Sequence, residues 1–396
     1  MKTLGYLFLA ALTAAGLGGI AYALTEGHAV MSTTQHVPWG LWVAFYIFFL
    51  GLSAGSFMLS TLVYVFGVKR LEPAGPLALL QAFGGLILGG VLIVMDLGHP
   101  ERAYKVLTSF NPTSVMSWMG VFYSVYVILI LAELYFALRP RFAARTGWLR
   151  RLALGSTRTD EAASARDRKW LKILGILGIP VAILVHGGVG SIFAVAKARP
   201  GWFSGLFPVV FLVSALASGG ALLAFLVAAF SRLGGERKRQ VVRDLARLSF
   251  GLLCGVMLLL ASEILVTIYG NVPYESTAWK LTLVGPYGWV FWIVQVGAGF
   301  VLPLILIVAK PFRDNISALG AAGFLMVTGI LGERMNLVIP AQIQPVFPSL
   351  AGAYHHERWL PGYFPSTAEW LVALGVIGMG TWIFLLAEKI LPLEEA

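Results

Sequence analysis

The chain has 396 residues, 58% hydrophobic and only 12% charged, with a mean hydropathy of +0.81. Soluble domains carry about 25% charged residues, so this composition excludes an ordinary globular enzyme and indicates a polytopic membrane protein. The net charge of +10 invites an anionic partner, but too little chain lies outside the apolar stretches to read nucleic acid.

A spanning helix needs roughly 20 mostly apolar residues. Ten stretches qualify, at about 4–24, 39–67, 76–97, 114–138, 171–196, 206–231, 247–270, 285–309, 315–338 and 367–388. The first, with Lys2 and Ala21-Tyr22-Ala23, resembles a secretory signal, but its apolar run is too long for a typical signal core and reads as a retained helix. Residues 51–62 (GLSAGSFMLSTL) and 215–226 (ALASGGALLAFL) share Leu52/Leu216, Gly55/Gly219, Leu59/Leu223 and Leu62/Leu226. Either the chain is duplicated or both segments converged on small-residue packing. In both cases Gly51, Gly55, Gly187, Gly188 and Gly190 permit close helix approach. The expected fold is all-α: one integral membrane domain over 1–396, with four-helix bundles at 39–196 (helices 2–5) and 206–338 (helices 6–9), and peripheral helices 1 and 10. The segment 337–366, rich in Pro and aromatics, reads as a packed outer cap facing a partner.

With the N-terminus inside, 22 of the 29 Lys and Arg residues fall in inner loops and ends. This positive-inside bias places both termini in the cytoplasm of a bacterial or archaeal cytoplasmic membrane and lets the basic loops attract anionic lipids.

Six ionisable residues sit within the apolar stretches, each costing about 2.5–3.5 kcal/mol at a helix centre on insertion scales. Asp96 ends the third stretch, where its charge opposes the helix dipole and calls for a cation, either Arg102 or Arg334. His186 has Gly187, Gly188 and Gly190 beside it; it either ties two helices together or meets a ligand. Glu263 is a proton carrier or an ion-pair partner of Arg334. Glu333 and Arg334 are adjacent, so they point about 100° apart and cannot share a face. Arg334 is expected to turn inward near Asn336, where a guanidinium could clamp a carboxylate or donate to a carbonyl. Glu133, near the inner end of the fourth stretch, snorkels to Arg139 or forms a step on a proton path. Asp96, His186, Glu263, Glu333 and Arg334 all fall toward the outer side.

The cofactor count follows by elimination. Cys254 is the only cysteine, which leaves no iron–sulfur ligation and no disulfide. His186 is the only histidine well inside a span, so a bis-histidine haem lacks its partner, and adjacent His355-His356 is a weak metal signal. Electrons for any redox chemistry must come from another subunit.

Several segments together resemble the polysulfide-reductase membrane-subunit family, also called NrfD-like, and within it the ten-helix subunits of hydrogenase-2 and of the Dsr sulfur-metabolism complex. They are VPWGLWVAF (37–45), DLGHPERAY (96–104), FNPTSVMSW (110–118), AEL around Glu133, HGGVGSIF (186–193), SEIL around Glu263, GERMN (332–336) and YFPSTAEW (363–370). The resemblance implies a haem-free subunit that exchanges electrons between a membrane quinone, menaquinone or ubiquinone, and a docked periplasmic ferredoxin-like iron–sulfur subunit. The family's polar set maps onto Asp96, Glu133, His186, Glu263 and Arg334. Tyr46 departs from the pattern, since a relative carries an acid there. On this reading the first bundle's outer half holds the quinone: His186 holds one carbonyl, Asp96 exchanges a proton, with His99 as its relay, and Tyr46 donates. Glu133, Glu263, Glu333, Arg334 and Asn336 form a proton path or network. The alternatives are a secondary transporter, which predicts helices unwound at the bilayer centre near Pro180 and Pro303, and a passive anchor, which leaves the buried charges unexplained.

Overall fold

A computed structural model describes residues 2–154, 160–199, 201–345, 356–359, 361–391 and 393. The described residues are helical, without strands, and ten helices are long and apolar enough to cross a membrane. We label them α1 (Lys2–Glu26), α2 (Leu41–Tyr64), α3 (Gly75–Asp96), α4 (Val115–Ala143), α5 (Glu161–Ala194), α6 (Phe207–Phe230), α7 (Gly235–Tyr269), α8 (Val290–Val308), α9 (Ile316–Val338) and α10 (Thr367–Ile390). The loops rich in Lys and Arg gather at one end, the basic end; the other is called distal.

α5 and α7 begin ten or more residues before their apolar stretches. Both openings are charged yet good helix formers, and Asp160 caps α5 by accepting the Ala163 amide at 2.9 Å. An apolar window sees only the part of such a helix that lies in lipid. In α8, residues Val290–Val301 are wound with π-helical i→i+5 hydrogen bonds and Leu302–Val308 return to α-helix. Pro303 stands at the change of register, where a residue without an N–H gives up least.

α2 packs on α3, α5 and α6; α3 on α4; and α4 on α5. α6 packs on α5, α7 and α9, and α9 on α2, α7 and α8. α1 lies on α10, and α10 on α3. At the α2–α6 crossing Gly55 and Gly219 meet backbone to backbone: a β-carbon on Gly55 would run into the Ala215 carbonyl, and one on Gly219 into the Gly55 backbone. These are the two positions that the internal similarity aligns. Gln81 of α3 fastens the crossing, donating from Nε2 to Ser56 Oγ at 2.6 Å and to the Gly219 carbonyl at 3.1 Å. Paired glycines also meet where α1 crosses α10 (Gly16, Gly375) and α8 crosses α9 (Gly299, Gly329).

The cap segment is described in part, including short helices at Pro340–Ile343 and Glu357–Trp359; Pro348, Tyr354 and His355 lie outside the described residues. Its hydrogen bonds centre on fully buried Glu369, which accepts from Ser32 N at 3.0 Å, Ser366 N at 2.9 Å and Tyr363 Oη at 2.5 Å. Tyr363 Oη in turn accepts from Leu41 N at 2.8 Å. Burial, reinforced by the Glu369 carboxylate, holds the Tyr363 phenol far above its usual range. Gln342 bridges to Trp39, and Arg199 donates to the His36 carbonyl at 2.7 Å, so the distal loops form one hydrogen-bonded layer.

Gly55→Leu should therefore force α2 from α6 and cost about 3 kcal/mol or more. Gly84→Ala, with nothing within 4 Å of its β-carbon, should be silent. Thermal unfolding in detergent distinguishes the two; equal midpoints would remove the crossing as a structural constraint.

Candidate functional site

The four residues that the sequence groups around a quinone lie on α5, α2, the end of α3 and the loop after it. His186, 2% exposed on α5, faces the Leu50 backbone and lies within electrostatic reach of Arg334, and its Nδ1 has no partner. Tyr46 packs against Gly89 and Tyr123, nearer the distal end of α2. Asp96 is half-buried at the end of α3, near Glu369, with Oδ1 enclosed and unpartnered. Neither expected cation serves it: Arg102 faces Glu101 at 3.5 Å and Arg334 lies elsewhere. His99 is exposed and pairs with Glu101 at 3.0 Å. A histidine two residues from a glutamate in a tight turn finds the local acid first.

Arg334 is 1% exposed. It donates to Ser214 Oγ, and its guanidinium carbon stands 4.2 Å above the Phe211 ring. Nη1 also lies 3.6 Å from Glu333 Oε1. Their Cβ directions diverge, and the contact forms because the arginine side chain is long enough to fold back. Glu263 does not pair with Arg334 and instead accepts from Ser204 Oγ at 3.1 Å. Glu133 is fully enclosed and neither oxygen has a hydrogen-bond partner, while Arg139 pairs with Asp167 at 2.5 Å. The snorkelling expected for Glu133 is thus not seen.

Three residues assigned to the network do converge. Glu263 of α7, together with Glu333 and Asn336 of α9, lines a cleft near the distal end with Gln295 of α8 and Trp279 and Thr282 of a short helix, Glu275–Val284. The empty space in and around the cleft, open solvent included, is about 610 Å3. It exists because α7 meets α8 chiefly through residues 302–308, leaving the π-helical part of α8 apart from α7. Leu259 and Leu260, half-buried on α7, also line it. Asn336 donates to Gln295 Oε1 at 2.9 Å, and its Oδ1 is buried without a partner. The opening thus joins apolar walls to two carboxyls and two carboxamides, the mixture typical of sites for small amphipathic molecules. Among the described residues no group of three or more His, Cys, Asp or Glu could hold a metal ion.

Gln295, Ser214, Gln342 and Glu369 escaped the sequence reading. Only Glu369 had a usable signal: Ser366-x-x-Glu369 before an apolar run is a capping box, and both of its hydrogen bonds form.

Among the described residues, ten apolar helices long enough to span a bilayer define an integral membrane protein. Residues 29–346 match the family described as "Polysulphide reductase, NrfD", and the chain belongs to that family. It is 40% identical to a selenate reductase subunit of Mesobacillus selenatarsenatis, over 99% of this chain and 94% of the relative. It is 29% identical to "Hdr-like menaquinol oxidoreductase integral membrane subunit" of Archaeoglobus fulgidus, over 98% and 92%. Identity to "Menaquinone reductase, integral membrane subunit" of Nitratidesulfovibrio vulgaris is 22%, over 96% and 88%.

Removing Arg334 would leave Glu333 buried beside an empty space. Arg334→Leu should destabilise the protein by about 3–5 kcal/mol, and Glu333→Gln added to it should recover much of the loss. Chemical denaturation in detergent measures both; no recovery in the double variant would mean that the pair is not coupled.

Proposed function

We propose that this chain is the quinone-reactive membrane subunit of a respiratory redox complex. It holds the head group of a menaquinone or ubiquinone in the distal cleft and exchanges electrons with an iron–sulfur subunit docked on the distal face. The distal end faces the periplasm or cell exterior, and the basic end, with both termini, faces the cytoplasm. The chain has neither haem nor cluster of its own, so electrons arrive from or leave to its partner. The carrying observation is the cleft lined by Glu263, Glu333 and Asn336, whose Oδ1 is buried and unpartnered. The names of the menaquinol and menaquinone relatives support the same reading.

When bound, a quinone supplies two-electron, two-proton chemistry at a pair of oxygens. The residues present fit such a head group. Asn336 Oδ1 offers an acceptor for a hydroxyl of the reduced form, and Glu263, when protonated, offers a donor to a carbonyl of the oxidised form. Trp279 and Phe291 supply flat walls, and Leu259 and Leu260 lie where a prenyl tail would leave for the bilayer. Arg334 fixes the Glu333 carboxyl, and His186 stands behind Arg334 as a positioning residue.

A second reading keeps the quinone in the first bundle, with Asp96 and Tyr46; the enclosed, unpartnered Oδ1 of Asp96 favours it. The transporter alternative loses its distinguishing feature, because α5 passes through Pro180 as continuous helix and α8 stays helical around Pro303.

The test is equilibrium binding of a menaquinone analogue to the assembled complex. Glu263→Gln and Asn336→Leu should each weaken binding about ten-fold or more, close to 1.4 kcal/mol. His186→Ala should weaken it less, and Asp96→Asn should leave it unchanged. Weakening by Asp96→Asn alone would move the site to the first bundle.

A further inference from the structure

We infer that Ser204, on the loop between α5 and α6, is a positioning residue of the cleft. It donates to one oxygen of Glu263, Oε2, and so leaves the other, Oε1, as the oxygen that carries the carboxyl proton toward a bound head group. This role rests on the quinone reading of the cleft. It adds a residue that sets the preference between the oxidised and the reduced carrier.

The serine hydroxyl has one proton and two lone pairs. Its Oγ accepts from the Leu206 amide at 3.2 Å and donates to Glu263 Oε2 at 3.1 Å. Accepting a backbone amide two residues on is the local turn chemistry that serine favours, and α6 opens just beyond, at Phe207. The amide takes a lone pair, so the hydroxyl is oriented by its own backbone and its single proton goes to the carboxyl.

The loop that carries the serine is itself held. Arg199 donates to the carbonyls of His36 and Gln342, at 2.7 and 3.1 Å, which ties the loop to the distal platform. Trp202, 5% exposed, stacks on Trp39 with 5.4 Å between centroids. Its Nε1 donates at 2.7 Å to the carbonyl of Leu337, the residue after Asn336. Gly201 lies so close to Ala278 and Ala341, two residues that line the cleft, that a β-carbon there would stand 2.7 and 3.1 Å from theirs. A hydroxyl on a mobile loop would lose to conformational entropy most of what its hydrogen bond contributes. On this loop the ordering is already done by other contacts.

Glu263 is half-buried on α7, and among the described residues Ser204 is its one hydrogen-bond partner. The charged groups that face it are acids, Glu275 of the short helix and Glu333 on the wall of the same cleft. Ser204 therefore distinguishes two oxygens that are otherwise equivalent. In the protonated carboxyl, the oxygen that receives the serine proton is the carbonyl oxygen, and the hydroxyl is the other one. Oε1 then offers a donor and no acceptor that a ligand hydroxyl needs. A quinone presents carbonyl acceptors, whereas a quinol presents hydroxyl donors. With Ser204 in place Glu263 favours the oxidised form. Without it the carboxyl can turn over, accept from a quinol, and lose that preference.

The experiment measures equilibrium binding of 2,3-dimethyl-1,4-naphthoquinone and, anaerobically, of its quinol to the assembled complex. Ser204→Ala should weaken binding of the quinone about five-fold and leave the quinol within about two-fold, so the ratio of the two Kd values shifts toward the quinol. Ser204→Thr, which keeps the hydroxyl, should hold the wild-type ratio. In a Glu263→Leu background Ser204→Ala should change neither Kd further. An unchanged ratio in Ser204→Ala overturns the inference, because a serine that only ties the loop to α7 would affect both forms alike. A shift that persists in the Glu263→Leu background also overturns it, since the effect would not then pass through that carboxyl. If Glu263→Gln and Asn336→Leu leave quinone binding untouched, the quinone reading of the cleft falls as well. If they weaken it while Ser204→Ala leaves the ratio fixed, only the role of Ser204 falls.

Discussion

The organisation of this protein depends on the approach of α2 and α6 at Gly55 and Gly219. In lipid no hydrophobic force draws helices together, so contact between two backbones, and the dispersion and hydrogen bonding that it permits, must do so. Once these helices touch, α3 is fixed through Gln81, α5 can pack on both, and α9 reaches both α2 and α6. That convergence puts Ser214 of α6 where Arg334 of α9 can donate to it, and brings His186 of α5 within range of the same guanidinium. Side chains at those positions could not assemble if larger residues held the central helices apart.

Polar groups are expensive in such a setting, and the structure treats them in two ways. At the distal surface Glu369, Tyr363, Gln342 and Arg199 satisfy one another and the loop backbones, and the result is a rigid platform. Deeper in, Glu133, Ser53, Tyr126, His186 and Asn336 keep atoms unsatisfied. The first group explains how the loops are held. The second group leaves polar atoms without protein partners inside the helix bundle.

Most of the fold was legible in the sequence because apolar length is a direct signal of spanning helices, and all ten were found. The helix ends of α5 and α7 were not, since their charged first turns lie beyond the apolar window. The significance of Gly55 and Gly219 was visible as an alignment of small residues, but their meeting was not, because alignment says nothing about which copies touch. The site was legible as a set of residues and illegible as a grouping. Depth along a helix can be counted from sequence, which placed Glu263, Glu333 and Asn336 toward one end. Azimuth and neighbour identity cannot, so the fold-back contact of Arg334 with Glu333 and the partner of Glu263 were out of reach. The cleft itself depends on α7 and α8 standing apart, a property of packing rather than of any residue.

The account stands on the location of the lipid-soluble substrate, and photoaffinity mapping tests that most directly. An azido-quinone would be bound to the assembled complex, illuminated, and the labelled peptides sequenced. The structure-based expectation is label on the α7 segment around Leu259–Glu263, on Trp279, and on α9 around Glu333–Leu337, suppressed by excess unlabelled quinone. Competable label confined to the helix ends carrying Tyr46 and Asp96, with none on α7 or α9, would contradict it.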